Sequence, residues 1–292
     1  MYSAIDKLLR ISLIAIIILS TQAFAKSPVW KVSKGDKYLY IGGTFHLLKP
    51  SDHPLPKAFD TAYQEASRLV FETDIEQLGS AQVQSKMIQA FTYQDDTTLE
   101  KVLSPEVYQR LSAHLATHNI PITAFAKSKP SIVSITIAIM ELQRLGFTPD
   151  AGVDIFYSKK ARRDQKPQLE LETIDEQIQF LSIMGEGRED AFMKKTLDEV
   201  STMQTSIEDL RTAWITGNKK KMDKIGIRPM RKEYPEVYNI LLHQRNNAWM
   251  PKLEALIADD GVEFVLVGAL HLPGKHGLLR QLKKKGYKIK NL

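Results

Sequence analysis

Tyr38-Leu-Tyr-Ile-Gly-Gly-Thr-Phe-His46, near the start of the chain, has a counterpart near its end in Phe264-Val-Leu-Val-Gly-Ala-Leu-His271. Each is a β-branched or aromatic run that closes on Gly-x-x-His, which reads as a strand whose exit is turned by glycine. A helix-like stretch follows each copy (57–67 and 278–285), and then a second strand-like run (68–72 and 287–289). This alternation predicts an α/β fold with a mostly parallel central sheet, built from two strand, Gly-x-x-His, helix, strand ends. Ligands gather at the carboxyl ends of strands in such sheets, so His46 and His271 are expected to face one cavity.

Two further runs, 69–71 and 168–171, read as strands, and most of the rest repeats its apolar residues at helical spacing. Ser104 before Pro105 marks a helix start, the serine as N-cap and the proline in the first turn. Further helices are expected at 131–145, 152–163, 175–183, 190–214 and 235–258, the last with a break or kink at Pro251. The apolar run 132–140 is too short for a membrane span and is interrupted by Ser134 and Thr136, so it reads as a buried helix. The helices of 175–258 read as an insertion or cap on the sheet, within a single domain of residues 26–292.

Residues 1–25 have the pattern of a cleaved export signal: Lys7 and Arg10, an apolar stretch over 11–19, and Ala23-Phe-Ala25 as the cleavage site. The protein is therefore expected to be periplasmic or secreted, with no stable membrane span after cleavage. Losing Lys7, Arg10 and Asp6 with the signal would take the formal net charge from +6 to +5. The lysine and arginine runs at 159–163, 219–221 and 283–285 lack interleaved aromatics, so solvated helix faces explain them better than nucleic acid. There is no cysteine, which excludes disulfides, thiolate metal ligands and a cysteine nucleophile.

Two imidazoles at one sheet edge need a carboxylate to complete a metal centre, and two Glu-Thr pairs end strand-like runs, Glu72-Thr73 and Glu172-Thr173. Glu72 ranks first, because Thr173 also reads as an N-cap facing Glu176. His46, Glu72 and His271 as ligands would suit Mn, Co, Zn or Fe, leaving Glu172 as a general base. Arg245 and Asn246 carry fixed donors that would hold a substrate carboxylate or an oxyanion, or else lie on a solvated helix face. His-Glu-x-x-His and Gly-x-Ser-x-Gly are both missing from the sequence, so the common zinc-protease and α/β-hydrolase routes have no support.

In this order the motifs Ile41-Gly-Gly-Thr-Phe-His46, Val70-Phe-Glu72, Gly152-Val-Asp154, Leu171-Glu172-Thr-Ile-Asp-Glu-Gln177, Arg245-Asn246 and Val267-Gly-Ala-Leu-His-Leu-Pro-Gly274 resemble the TraB/GumN/PrgY family. That family is related to the Tiki metalloproteases and more distantly to the erythromycin esterase and ChaN-like proteins. The resemblance covers nearly the whole chain after residue 25. It implies divalent-metal peptidase chemistry with His46, Glu72 and His271 as ligands and Arg245 and Asn246 in the site. The expected function is a metal-dependent hydrolase, a peptidase with a peptide or protein substrate outside the cytoplasm. The alternative is a non-catalytic protein that binds a metal, haem or a peptide.

Overall fold

Val, Ile, Leu and Phe fill most of the buried positions of the runs that pair into a single sheet. The computed structural model describes residues 26–292, so the expected export signal lies outside the described residues. The strands are β1 (Val29–Lys34), β2 (Lys37–Thr44), β3 (Arg68–Phe71), β4 (Gln168–Glu170), β5 (Glu263–Gly268) and β6 (Lys288–Asn291). They lie in the order β4-β3-β5-β2-β1-β6. The β4-β3, β3-β5 and β5-β2 pairs are parallel, whereas β1 runs antiparallel to both β2 and β6. The fold is thus mixed α/β with a mostly parallel six-stranded sheet.

Helices of seven residues or more are α1 (Lys57–Glu65), α2 (Ala81–Phe91), α3 (Pro105–Ala116), α4 (Pro130–Arg144), α5 (Val153–Arg163), α6 (Ile174–Ser182), α7 (Glu189–Val200), α8 (Met203–Ile215), α9 (Arg245–Ala258) and α10 (Leu278–Lys284). As expected, Ser104 caps α3 by accepting from the Val107 N–H, with Pro105 in the first turn. The 132–140 run lies within α4 with Val133 and Ile137 fully buried, and no helix among the described residues is long and apolar enough to cross a membrane.

The helical portion differs from expectation in three ways. The 190–214 stretch is two helices, α7 and α8, interrupted at Ser201-Thr202. No break occurs at Pro251, which sits inside α9; the irregular turn lies upstream, where Asn239–Gln244 winds as π-helix. Trp249, Met250, Leu253 and Ile257 are buried in the core, and that packing outweighs the one backbone donor a proline lacks. Those residues share the core with the strands, so α9 packs directly against the sheet. A separate apolar core joins α3, α4 and α7, so the helical mass draws on segments both before and after β4.

Register is what positions the site. Thr44 of β2 stands opposite Gly268 of β5, and Val70 of β3 opposite Val265. Beyond Phe71 the ladder continues as Leu171 N–H to Phe71 O and Glu172 N–H to Glu72 O, at 2.9 and 2.8 Å. Four neighbouring strand ends, β4, β3, β5 and β2, therefore deliver Glu172, Glu72, His271 and His46 in that order along one edge.

Candidate functional site

His46 follows β2 by two residues and is held from behind. Its Nδ1 lies 2.9 Å from Asp154 Oδ2, in the first turn of α5. Gly152 allows this approach, because a Cβ there would overlap the His46 carbonyl. The side chain is 63% exposed, at the mouth of the site, and the Asp154 carboxylate raises its pKa to about 9. Its Nε2 forms no hydrogen bond among the described residues and lies 3.9 Å from the position a Cβ on Gly268 would take.

That same point is 3.2 Å from Glu72 Oε1 and 3.5 Å from His271 Cδ2. Gly268 is thus the floor on which His46, Glu72 and His271 converge, and a larger residue would fill the space between them. Its own N–H donates to Glu72 Oε1 at 2.6 Å. Burial alone would raise the Glu72 pKa; the charge of Arg245 foremost, with that of His46 and the Gly268 N–H, overcomes it and holds the carboxyl at about 2.

His271 closes a short turn after β5 and is buried. Arg245 Nη1 lies 3.1 Å from its Nε2, and a guanidinium only donates, so Nε2 accepts. Nδ1 then carries the proton and donates to Asn246 Oδ1 at 2.6 Å. The Asn246 amide is oriented by the same logic, since its Nδ2 donates to the carbonyls of His271 and His276. Burial pushes the His271 pKa down to about 3, which agrees with a neutral ring.

Arg245 binds this edge together. Its Nε donates to Glu172 Oε2 at 3.0 Å, Nη2 to Glu72 Oε2 at 2.5 Å and Glu172 Oε1 at 2.6 Å, and Nη1 to Leu241 O and His271 Nε2, both at 3.1 Å. All five N–H groups are thereby used. Trp249 Nε1 donates to Glu172 Oε2 at 3.1 Å, while the indole ring lies 4.7 Å from the guanidinium carbon. Burial raises the Glu172 pKa against the pull of Arg245.

All six residues singled out from the sequence therefore meet at one edge, some in other roles than expected. Arg245 and Asn246 have no donor left for a substrate, so they position Glu72, Glu172 and His271 instead. Glu172 is engaged at both oxygens and anchors Arg245, which leaves it poorly placed as a free base. Its neighbour Thr173 makes the expected N-cap, completing a capping box with Glu176 at the start of α6. Gly268 was read from sequence only as the turn at the strand exit, and Asp154 and Trp249 were given no role in the site. Of the latter two only Asp154 carried a signal, as a lone acid in the first turn of a helix after Gly152.

The donor set suits a divalent transition metal. Each imidazole has Nδ1 fixed by a side-chain oxygen, the outer support usual for metal-ligating histidine, and each turns Nε2 toward the Glu72 carboxylate. The donors are spread wider than a closed shell: those of His46, Glu72 and His271 do not all lie within 4.8 Å of one another, and Arg245 rests against the latter two.

The model of the TraB/PrgY/gumN family matches residues 28–291. The protein called uncharacterized protein YbaP in Escherichia coli (strain K12) is 25% identical over 250 residues, covering 85% of this chain and 89% of that protein. The protein of the same name in Shigella flexneri matches with the same identity and coverage. No solved structure matches.

Proposed function

We propose, for a chain that belongs to the TraB/PrgY/gumN family, that the strand-end site holds a divalent transition metal and that the protein is a metal-dependent hydrolase, a peptidase working outside the cytoplasm. The observation that carries this reading is the convergence of His46 Nε2, Glu72 and His271 on Gly268. The two Gly-x-x-His ends then act as one duplicated device, each presenting an imidazole beside the same carboxylate. The peptidase part rests on the resemblance to the Tiki branch.

In this reading His46 Nε2, Glu72 Oε1 and His271 Nε2 are the ligands. A bound metal lowers the pKa of water to about 7 and polarises a carbonyl. Asp154 and Asn246 fix the two rings, the Gly268 N–H orients Glu72, and Arg245 would give up its contact with His271 while keeping both glutamates. The test is metal analysis of the purified protein together with cleavage of a broad peptide library. The expected result is cleavage together with one equivalent of transition metal that depends on His46 and His271, both lost when the two are changed to Ala; a parent chain that binds no more metal than that double variant would overturn the reading.

One observation favours the alternative of a binding protein without turnover. Every donor of Arg245 and Asn246 is committed to protein acceptors, so neither is free to stabilise an oxyanion. Stoichiometric metal, haem or peptide with no cleavage of any library member would decide for it.

A further inference from the structure

A second group of ligating side chains stands on the other apolar core. His114 lies in the last turn of α3, and His118 lies four residues on, in the turn that leaves the helix. The His118 N–H bonds to Leu115 O at 3.0 Å, so the chain keeps near-helical register and the rings stay on one face, 5.3 Å apart. Glu141, in the last turn of α4, points one carboxylate oxygen at both rings: Oε1 is 2.9 Å from His118 Nε2 and 3.5 Å from His114 Nε2. Its other oxygen is held by Arg144 Nε at 2.9 Å.

Two facts separate this from an ordinary hydrogen-bonded pair. Among the described residues His114 Nε2 is buried without any hydrogen-bond partner, although it faces the carboxylate. Among the described residues this is also the one group in which three such donor atoms all lie within 4.8 Å of one another. Tetrahedral donors around an ion with bonds of about 2.0–2.2 Å sit roughly 3.3 Å apart, close to the two His-Glu separations seen here.

We propose that His114, His118 and Glu141 form a second metal site, for a borderline ion such as Zn²⁺, that ties the end of α3 to the end of α4. Two imidazoles and one carboxylate select a transition ion over Ca²⁺ or Mg²⁺, which prefer oxygen. The ion takes the place of the proton between His118 and Glu141, and that proton leaves to solvent. Both histidines keep some exposure, 16% and 17% of the side chain, which gives the ion an entry path and leaves the fourth position to water.

The experiment uses the full chain carrying His46→Ala and His271→Ala, so that the strand-end site is removed whatever it binds. Zn²⁺ is titrated calorimetrically, and Co²⁺ by its visible absorption. One equivalent should bind and raise the melting temperature; adding His118→Gln, or His114→Gln if that variant does not fold, should weaken binding roughly tenfold or more and abolish the thermal shift. No binding to the His46→Ala/His271→Ala chain, or binding unaffected by the added substitution, overturns the site while leaving the proposal for the strand-end centre untouched.

Discussion

Replacing Arg245 by Met tests whether one guanidinium holds the strand-end edge together. The substitution keeps the volume and removes five donors. Glu72 Oε2 loses its partner, His271 Nε2 loses its donor, the Leu241 carbonyl loses its side-chain contact, and Glu172 retains Trp249 and a long 3.4 Å contact from Gln177. Breaking a buried ion pair by removing one partner costs about 3–5 kcal/mol, and with two carboxylates stranded the upper part of that range applies at pH 7. At roughly 2–4 °C per kcal/mol for a chain of this size, the melting temperature should fall by about 10 °C or more.

The pH dependence gives the sharper test. In the parent chain the Glu72 pKa is about 2 when folded against an ordinary value of 4.5, so its stabilisation is present above 4.5 and is lost as pH falls toward 2. Without Arg245, burial dominates and lifts the folded value above the unfolded one. The variant therefore suffers most at neutral pH and recovers as Glu72 takes up a proton. Urea unfolding at pH 7 and pH 5 should show the gap between parent and variant narrowing at the lower pH. A gap below about 1 kcal/mol at pH 7 would refute the reasoning, since even a single unsatisfied buried group costs more. A gap unchanged between the two pH values would also refute it.

Asp154→Asn should bring the His46 pKa from about 9 back toward 6.5, read by NMR titration of the chelator-treated protein; an unchanged value would mean that Asp154 is not the cause. The stabilisation that accompanies that raised value is present below 6.5 and lost as pH rises through 9, and it should be small because the ring is largely exposed. Gly268→Ala tests the convergence itself: φ −48° and ψ 133° suit alanine, so the fold should survive, yet the new methyl lies 3.2 Å from Glu72 Oε1. With His118→Gln present to remove the other candidate site, metal affinity should drop roughly tenfold or more, as it does when groups supporting a metal site are disturbed, and undiminished affinity would count against the site. In a chain carrying His118→Gln, uptake at pH 7 should also release about one proton, from His46, because Glu72 and His271 have already given theirs up; calorimetry in buffers of different ionisation enthalpy measures it, and a count near two would contradict the assignment.

The edge was legible because strand ends are marked by local chemistry. A β-branched run that stops at glycine, or at an acid followed by threonine, shows where β2, β3, β4 and β5 finish. Lateral order carries no such mark, and nothing in residues 38–72 shows that β5, some two hundred residues later, inserts between β2 and β3. β1 was missed because Val-Trp-Lys-Val-Ser-Lys mixes lysine into a short run, although Gly35-Asp36 between Lys34 and Lys37 is a hairpin signal of the ordinary kind. The roles of Arg245 and Asn246 were misjudged for a different reason: donor-rich side chains look available in a sequence, and only the acceptors around them show that they are spent.

Those spent donors bear on what the edge is built to hold. Glu72 and Glu172 are buried beside one another, and carboxylates so placed require a cation between them or a shared proton. Arg245 supplies that cation, contacting Glu72 Oε2 and His271 Nε2, one residue pair that the proposed metal would also use. If the guanidinium were simply the permanent partner of a structural network, His46 would have no reason to be aimed at the same floor with its Nε2 unpaired among the described residues and its Nδ1 fixed by Asp154. A protonated His46 adds a second positive charge facing Glu72, and a divalent ion that expels that proton restores the same balance from one position. On this argument Arg245 keeps the carboxylates in place until the ion arrives, and removing it should weaken the fold more than it weakens the affinity for metal.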